Sequence, residues 1–396
     1  MAFSPQDELF MRQALDLASR GTGLTSPGAR VGAVVVDGSG NIAGTGSYTF
    51  DGIKHAEILA LEQAGSRALG GTIYLSLEPH CHQGRTPPCT DAIIAAGISR
   101  VVAAMADPNP KVAGKGFAQL RAAGIAVETG LFESEAHRIN EAFARYILTN
   151  LPLVTLKSGM TLDGKIAPPP GDSFNPSALG ATGATGGWIT SVEARAHVQE
   201  LRHESDAIMV GVGTIIADDP LLTDRTGYPR RRPLLRVVLD SRLRCPLHSR
   251  LVQTAKDDVL IFCSFAEEKK RRSLEEQGIR VEQVPLESNF NSNDGRPDLA
   301  RIAARLGELE ITSLLIEGGA LVNWTALASG VVDKVFLYYA PKILAGAGSV
   351  PFVGGEGFRR LSEAAQVKDI VLHRFGEDFA VEGYLRNPYA APEAHI

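Results

Sequence analysis

His55-Ala56-Glu57, then Glu78-Pro79-His80-Cys81-His82-Gln83-Gly84-Arg85-Thr86-Pro87-Pro88-Cys89: the reading of this stretch decides the fold of the 396-residue chain. A histidine, a carboxylate two positions on and a Pro-bounded cluster of thiols and imidazoles are the parts that zinc-assisted hydrolytic deamination needs. They supply nitrogen and sulfur ligands, an open coordination position for water, and a non-ligand carboxylate to carry a proton to the departing ammonia. Glu57 is placed for the proton work. On a helix beginning near His55 both side chains sit in the first turn, where free amides and the helix dipole favour negative charge, and Leu59, Ala60 and Leu61 face the core. Taken singly, His55 reads as a helix-start residue and Cys89 as a small buried hydrophobe. With Glu57 and the Gly84-Arg85-Thr86-Pro87-Pro88 loop they read as a metal site.

Outward from this stretch the pattern alternates. Ser4 and Pro5 read as N-cap and N1 of a helix with Asp7 and Glu8 in its first turn and an apolar stripe of Phe10, Met11, Ala14, Leu15 and Ala18. Val31 to Val36 is a strand-like run, and Asp37-Gly38 turns it into Asn41 to Gly46. Helix 55–65, strand 72–77, helix 87–97, strand 100–105, helix 115–123 and strand 125–127 follow, which is a three-layer α/β/α pattern. Helix 134–149 bridges to Leu151-Pro152, where a second domain starts.

That domain opens with strand 153–157, ending at Lys157, and then a Pro/Gly/Ser-rich loop without periodicity from 167 to 187. Helices are expected at 191–202, 266–277, 298–307 and 320–328, and strands at 206–210, 234–240, 258–263, 279–284, 312–316, 333–340, 367–373 and 379–386. Strands that alternate with helices and finish as a pair give a mixed sheet with an antiparallel edge. No Gly-x-Gly-x-x-Gly occurs, and Gly159 to Lys165 mimics a phosphate-binding loop but ends in Ile166, without the metal-binding hydroxyl. What remains are two Gly-containing strand-to-helix junctions, Gly211-Val212-Gly213-Thr214 and Gly318-Gly319-Ala320, whose free amides suit phosphate groups.

Composition sets the outer limits. Apolar content of 44%, charged content of 21%, a net charge of -5 and a pI near 6.0 fit an ordinary globular protein and give no basic surface for nucleic acid. No apolar run is long enough for a membrane span and the first residues lack a signal-peptide pattern, so a cytoplasmic location is expected. Of four cysteines, two lie in the cluster; Cys245 and Cys263 are expected reduced, Cys263 in the core. The sequence sets no oligomeric state, and a homo-oligomer is compatible with it.

Seven motifs together resemble the bifunctional deaminase/reductase family of riboflavin biosynthesis. They are His55-Ala56-Glu57, Leu77 to Cys89, Asp107-Pro108-Asn109-Pro110, Leu162-Asp163-Gly164-Lys165, Trp188-Ile189-Thr190-Ser191, Ala217-Asp218-Asp219-Pro220 and Ile316-Glu317-Gly318-Gly319. The resemblance spans nearly the whole chain. It implies a cytidine-deaminase-like zinc domain at 1–150 and a dihydrofolate-reductase-like, NADPH-dependent domain at 151–390. The implied substrate is a phosphoribosylated diaminopyrimidine, which is deaminated and then reduced at the ribosyl group to a ribityl chain.

The implied roles follow position by position. Glu57 is the proton carrier, and His55, His80 and Cys89 are the zinc ligands. The family usually has cysteine where this chain has His80, asparagine at Gly28 and histidine at Tyr48. Cys81 competes with His80 as ligand, and His82 is a third candidate that reads better as a neighbour of the ligands. For NADPH the resemblance implies Gly159, Trp188, Thr214, Asp218, Ser241 and the segment Gly319, Ala320, Leu321, Val322, Asn323, Trp324 and Thr325. For the substrate it implies Gly186, Arg202, Leu222, Arg225 and Glu317, with the arginines suited to a phosphate. Two other readings share these motifs: a reductase whose first half is only a scaffold, and a binding protein stabilised by a four-ligand structural zinc.

Overall fold

The structure, a computed structural model, describes residues 3–84, 86–169, 187–285 and 297–390. Most of the expected 167–187 loop, Gly186 included, lies outside the described residues. Two compact units are present: Met1–Asn150 with Pro229–Arg232 and Pro388–Ile396, and Leu151–Tyr228 with Pro233–Asn387.

The first unit runs α1 (Pro5–Ser19), β1 (Gly32–Val36), β2 (Ile42–Ser47), α2 (Ala56–Ala64), β3 (Thr72–Leu75), α3 (Cys89–Ala95), β4 (Arg100–Ala103), α4 (Lys115–Ala122), β5 (Ala126–Thr129) and α5 (Glu133–Thr149). Its sheet has the order β2-β1-β3-β4-β5, antiparallel at β2-β1-β3 and parallel from β3 to β5. The pleat sends alternate residues of β1 to opposite faces. Ala33 and Val35 join Ala60, Ile93 and Leu120 of α2, α3 and α4, whereas Val34 and Val36 join Met11 and Ala136 of α1 and α5. These are the three layers the alternation predicts.

Close packing of α2 on β2 sets the position of the motif that starts that helix. A Cβ at Gly44 would stand 2.1 Å from the Ala60 carbonyl oxygen, and one at Gly46 2.0 Å from that of Ala56, so only glycine lets the helix backbone lie on the strand. The buried face of α2 is Ala56, Ala60, Leu61 and Ala64. Leu59 is only half-buried, which corrects the expected core face by one position: at 3.6 residues per turn Ala56, Ala60 and Ala64 stack, and Leu59 falls to their side.

In the second unit, β6 (Leu153–Thr161), β7 (Lys165–Ala167), α6 (Val192–Glu204), β8 (Ala207–Gly211), α7 (Val212–Asp218), β9 (Leu235–Leu239), α8 (Arg250–Gln253), β10 (Val259–Cys263), α9 (Glu268–Glu275) and β11 (Ile279–Gln283) come first. They are followed by α10 (Leu299–Glu308), β12 (Ser313–Ile316), α11 (Ala320–Ala328), β13 (Lys334–Ala340), β14 (Val350–Pro351), β15 (Lys368–Phe375) and β16 (Asp378–Tyr384). Nine strands form one sheet, β11-β10-β9-β8-β12-β6-β13-β16-β15, parallel from β11 to β13 and antiparallel at the β13-β16-β15 edge. This is the mixed sheet with an antiparallel edge that the element order predicts. One boundary is corrected: β6 continues four residues past Lys157, because β13 pairs with it as far as Thr161. The apolar run stops at Leu156, but its partner strand does not. Lys157 therefore sits in mid-strand.

Candidate active sites

Three local structures meet at the first site. His55 is the N-cap of α2, in extended backbone (φ -70°, ψ 158°), and Glu57 follows in the first helical turn. Cys89 opens α3, and its amide and that of Thr90 donate back to the His80 carbonyl at 3.0 and 3.3 Å. That closure folds the 80–89 loop so that His80 and Cys89 face His55. Among the described residues, His55, His80 and Cys89 are the one group whose metal-ligating atoms all lie within 4.8 Å of one another. The Cys89 sulfur is 3.4 Å from His55 Nδ1, and the His55 and His80 rings are 4.4 Å apart. Cys81 stands outside the group, and the His82 ring lies edge-on to His80 at 5.8 Å.

The electrostatics suit a cation. Both ring nitrogens of His80 and Oε2 of Glu57 are buried without a hydrogen-bond partner, which is costly unless a ligand completes them. Burial raises the Glu57 carboxyl above its usual range, although its own backbone amide and Cys89 pull the other way. Burial also raises the Cys89 thiol, with the Glu57 charge adding to it, and lowers the His80 imidazole. A cysteine sulfur, which gives up its proton when a metal binds, and two neutral imidazoles make a donor set that fits zinc and is one short of four.

Glu78 had no assigned role in the sequence, and its surroundings supply one. Its buried carboxylate accepts from the amides of Asp107, Gly114, Gly116 and Phe117 at 2.9 to 3.3 Å, so it pins the 107–117 loop beside the cluster. Burial first, then the Glu78 and Glu57 charges, push the Asp107 carboxyl up to about 7, against its bond from the Asn109 amide. Only long-range folding makes this visible.

At the second site Glu317 directly follows β12 and is gripped on both oxygens. Arg202 donates through Nε at 2.7 Å and Nη2 at 3.1 Å, and Lys157 Nζ stands at 3.5 Å. Burial alone would raise Glu317, but the two cations outweigh it and hold the carboxyl at about 2. The third Arg202 donor goes to the Thr223 carbonyl at 3.0 Å. The Arg202 fork is thus committed inside the protein and does not suit a phosphate as expected, whereas the Arg225 side chain is exposed. Lys157, which the sequence places at the end of its strand, has no role assigned there, and only the fold brings it to Glu317.

The two glycine junctions come together. Gly211 caps α7 and Gly319 caps α11; a Cβ at Gly211 would meet Val322 at 2.8 Å and one at Gly319 would meet Thr214 Oγ1 at 3.8 Å. Leu321 is exposed and Ala320 and Val322 are half-buried. Three of the residues expected at NADPH in this helix turn their side chains inward. Asn323 is fully buried with its amide on the Phe352 carbonyl at 2.8 Å, Trp324 is buried against Phe358, and Thr325 bonds the Leu321 carbonyl. Asn323 and Trp324 are covered by the segment around Phe352 and Phe358, whereas Ala326 joins the core cluster on the sheet. Leu222 is likewise a core side chain, at a positive φ of 54°, and offers only its backbone. Trp188 is exposed, its carbonyl bonded by Lys342 and its ring under the Arg195 guanidinium at 4.9 Å. Gly159 stands against Thr190, Asp218 is exposed at the end of α7, and Ser241 follows β9, where its carbonyl accepts from Ser264 and Phe265. Gly186 lies outside the described residues.

Comparison with known proteins agrees with both halves. Residues 4–105 match the cytidine and deoxycytidylate deaminase zinc-binding region, and residues 152–381 match the RibD C-terminal domain. The riboflavin biosynthesis protein RibD of Actinobacillus pleuropneumoniae is 39% identical over 380 residues, covering 96% of this chain and 95% of the relative. Among solved structures, Acinetobacter baumannii RibD superimposes with a TM-score of 0.78 at 32% identity, over 96% of this chain and 98% of that one. A Thermotoga maritima diaminohydroxyphosphoribosylaminopyrimidine deaminase/5-amino-6-(5-phosphoribosylamino)uracil reductase does so with 0.76 at 33%, over the same shares.

Proposed function

The chain belongs to the RibD family of riboflavin biosynthesis, bifunctional enzymes that join a deaminase to a reductase, and from this premise we propose how its own residues divide the work. The deaminase half takes 2,5-diamino-6-(5-phosphoribosylamino)pyrimidin-4-one, with zinc held by His55, His80 and Cys89. When bound there, zinc supplies an acidified water as the nucleophile. Glu57 takes up a proton and gives it to the leaving ammonia; its burial, which raises its proton affinity, suits it to hold that proton between the two transfers. The observation that carries this reading is the group of three ligand atoms within 4.8 Å beside the unpartnered Glu57 oxygen.

The reductase half reduces the ribosyl group to ribityl. NADPH, when bound, supplies the hydride. The paired helix starts at Gly211 and Gly319 are suited to its phosphates through free amides, and Arg225 is available to the substrate phosphate. Lys157 and the Arg202-braced Glu317 present one fixed cation and one fixed anion beside these amides, a preorganised pair for the hydroxyls of the sugar.

Glu57→Gln tests the division of labour. Ammonia release is expected to fall by at least about a thousandfold, with NADPH oxidation on supplied deaminated substrate unchanged. Loss of both activities would contradict two separate sites.

A further inference from the structure

The turn at residues 23–28 reaches the first site through Tyr48. A Cβ on Gly28 would lie 3.3 Å from Tyr48 Cε1 and 3.7 Å from its hydroxyl, and the Tyr48 ring meets His55 edge-on with centroids 5.2 Å apart. Whatever fixes the turn therefore fixes the aromatic wall next to a metal-ligating histidine.

Much of that fixing comes from Pro229–Arg232, a segment that packs as part of the first unit although it lies far downstream in sequence. The Arg231 amide donates to the Gly23 carbonyl at 2.8 Å. Its guanidinium sends Nη1 to the Ser26 carbonyl and Nε to Asp51, both at 3.0 Å, and lies over the Phe50 ring at 3.9 Å. Arg232 Nη2 donates to Ser26 Oγ at 2.9 Å. Phe50 is itself tied to the turn, its amide donating to the Leu24 carbonyl at 3.1 Å. Asp51 is largely exposed, so its ion pair alone is worth little. The planar fork instead joins the backbone of the turn, at the Ser26 carbonyl, to the side chains of Phe50 and Asp51.

We propose that Arg231, with Arg232 beside it, is a positioning residue for the deaminase: it locks the 23–28 turn, and through the turn Tyr48, against the His55/His80/Cys89 cluster. The inference rests on the deaminase reading above. It makes the shape of the pyrimidine pocket depend on a segment carried in the reductase half of the sequence.

Arg231→Ala is expected to raise the KM for ammonia release by on the order of tenfold, a misplacement effect, with a smaller change in kcat. Zinc content and reduction of supplied deaminated substrate stay as in the wild type. Arg231→Lys keeps a cation for Asp51 and Phe50 without the second N–H direction to Ser26, and is expected to recover part of the loss. An unchanged KM with a lowered Tm would make Arg231 a structural anchor and overturn the proposal, as would loss of zinc in both variants. A wild-type chain that releases no ammonia at one zinc per chain overturns the deaminase reading and this inference with it; a working wild type matched in KM by Arg231→Ala overturns this inference alone.

Discussion

Glu317 illustrates how one side chain can report on a whole site. Its folded-state carboxyl is held at about 2, below the ordinary 4.5, by Lys157 and Arg202 acting against burial. A depressed carboxylate contributes stability that is present above its unfolded pKa and is lost as pH falls through the folded value. Denaturant unfolding of the reductase unit between about pH 4.5 and 2 should therefore show a loss of about 3 kcal/mol, and Glu317→Gln should flatten that dependence. An equally steep profile in the variant would assign the loss to other carboxylates. At this scale the sequence was informative where residue type and spacing coincide with chemistry: His55, Glu57 and Cys89 announce themselves. It was silent where partners are distant. Nothing near Lys157 points to Glu317, 160 positions away, and nothing near Arg202 warns that its fork is already taken.

At the scale of elements, the deaminase motif depends on how α2 rests on β2. Gly44 and Gly46 leave room for the helix carbonyls, and His55 and Glu57 inherit their places from that contact. Gly46→Ala would place a methyl 2.0 Å from the Ala56 carbonyl oxygen, so α2 must lift. A destabilisation of about 1–3 kcal/mol is expected, together with weaker zinc retention, measurable by metal analysis after dialysis. Full zinc retention with only lowered stability would show that the ligands tolerate the shift. The larger elements were legible because apolar runs and caps mark them: Ser4 with Asp7 at the start of α1, the glycine junctions at β8 and β12, the closing strand pair. The β7–β14 pair was not, since two and three residues carry no period. Nor was the length of β6, which its neighbour sets.

Taken whole, the chain has a three-layer unit with a His/Cys cluster and a unit whose sheet has nine strands among the described residues, and it matches a deaminase family model and a reductase family model in turn. That class was readable from element order. Among the described residues no helix is long and apolar enough to cross a membrane. What the order of elements leaves open is whether a site with His80 among its ligands supports hydrolysis. The central claim is that it does, and the most direct test is ammonia release from the diaminopyrimidine substrate, without NADPH, as zinc is titrated into chelator-treated protein. Release should rise with zinc and level off at one ion per chain, and His80→Ala should abolish it. Fully zinc-loaded protein that releases no ammonia while still reducing supplied deaminated substrate would contradict the account.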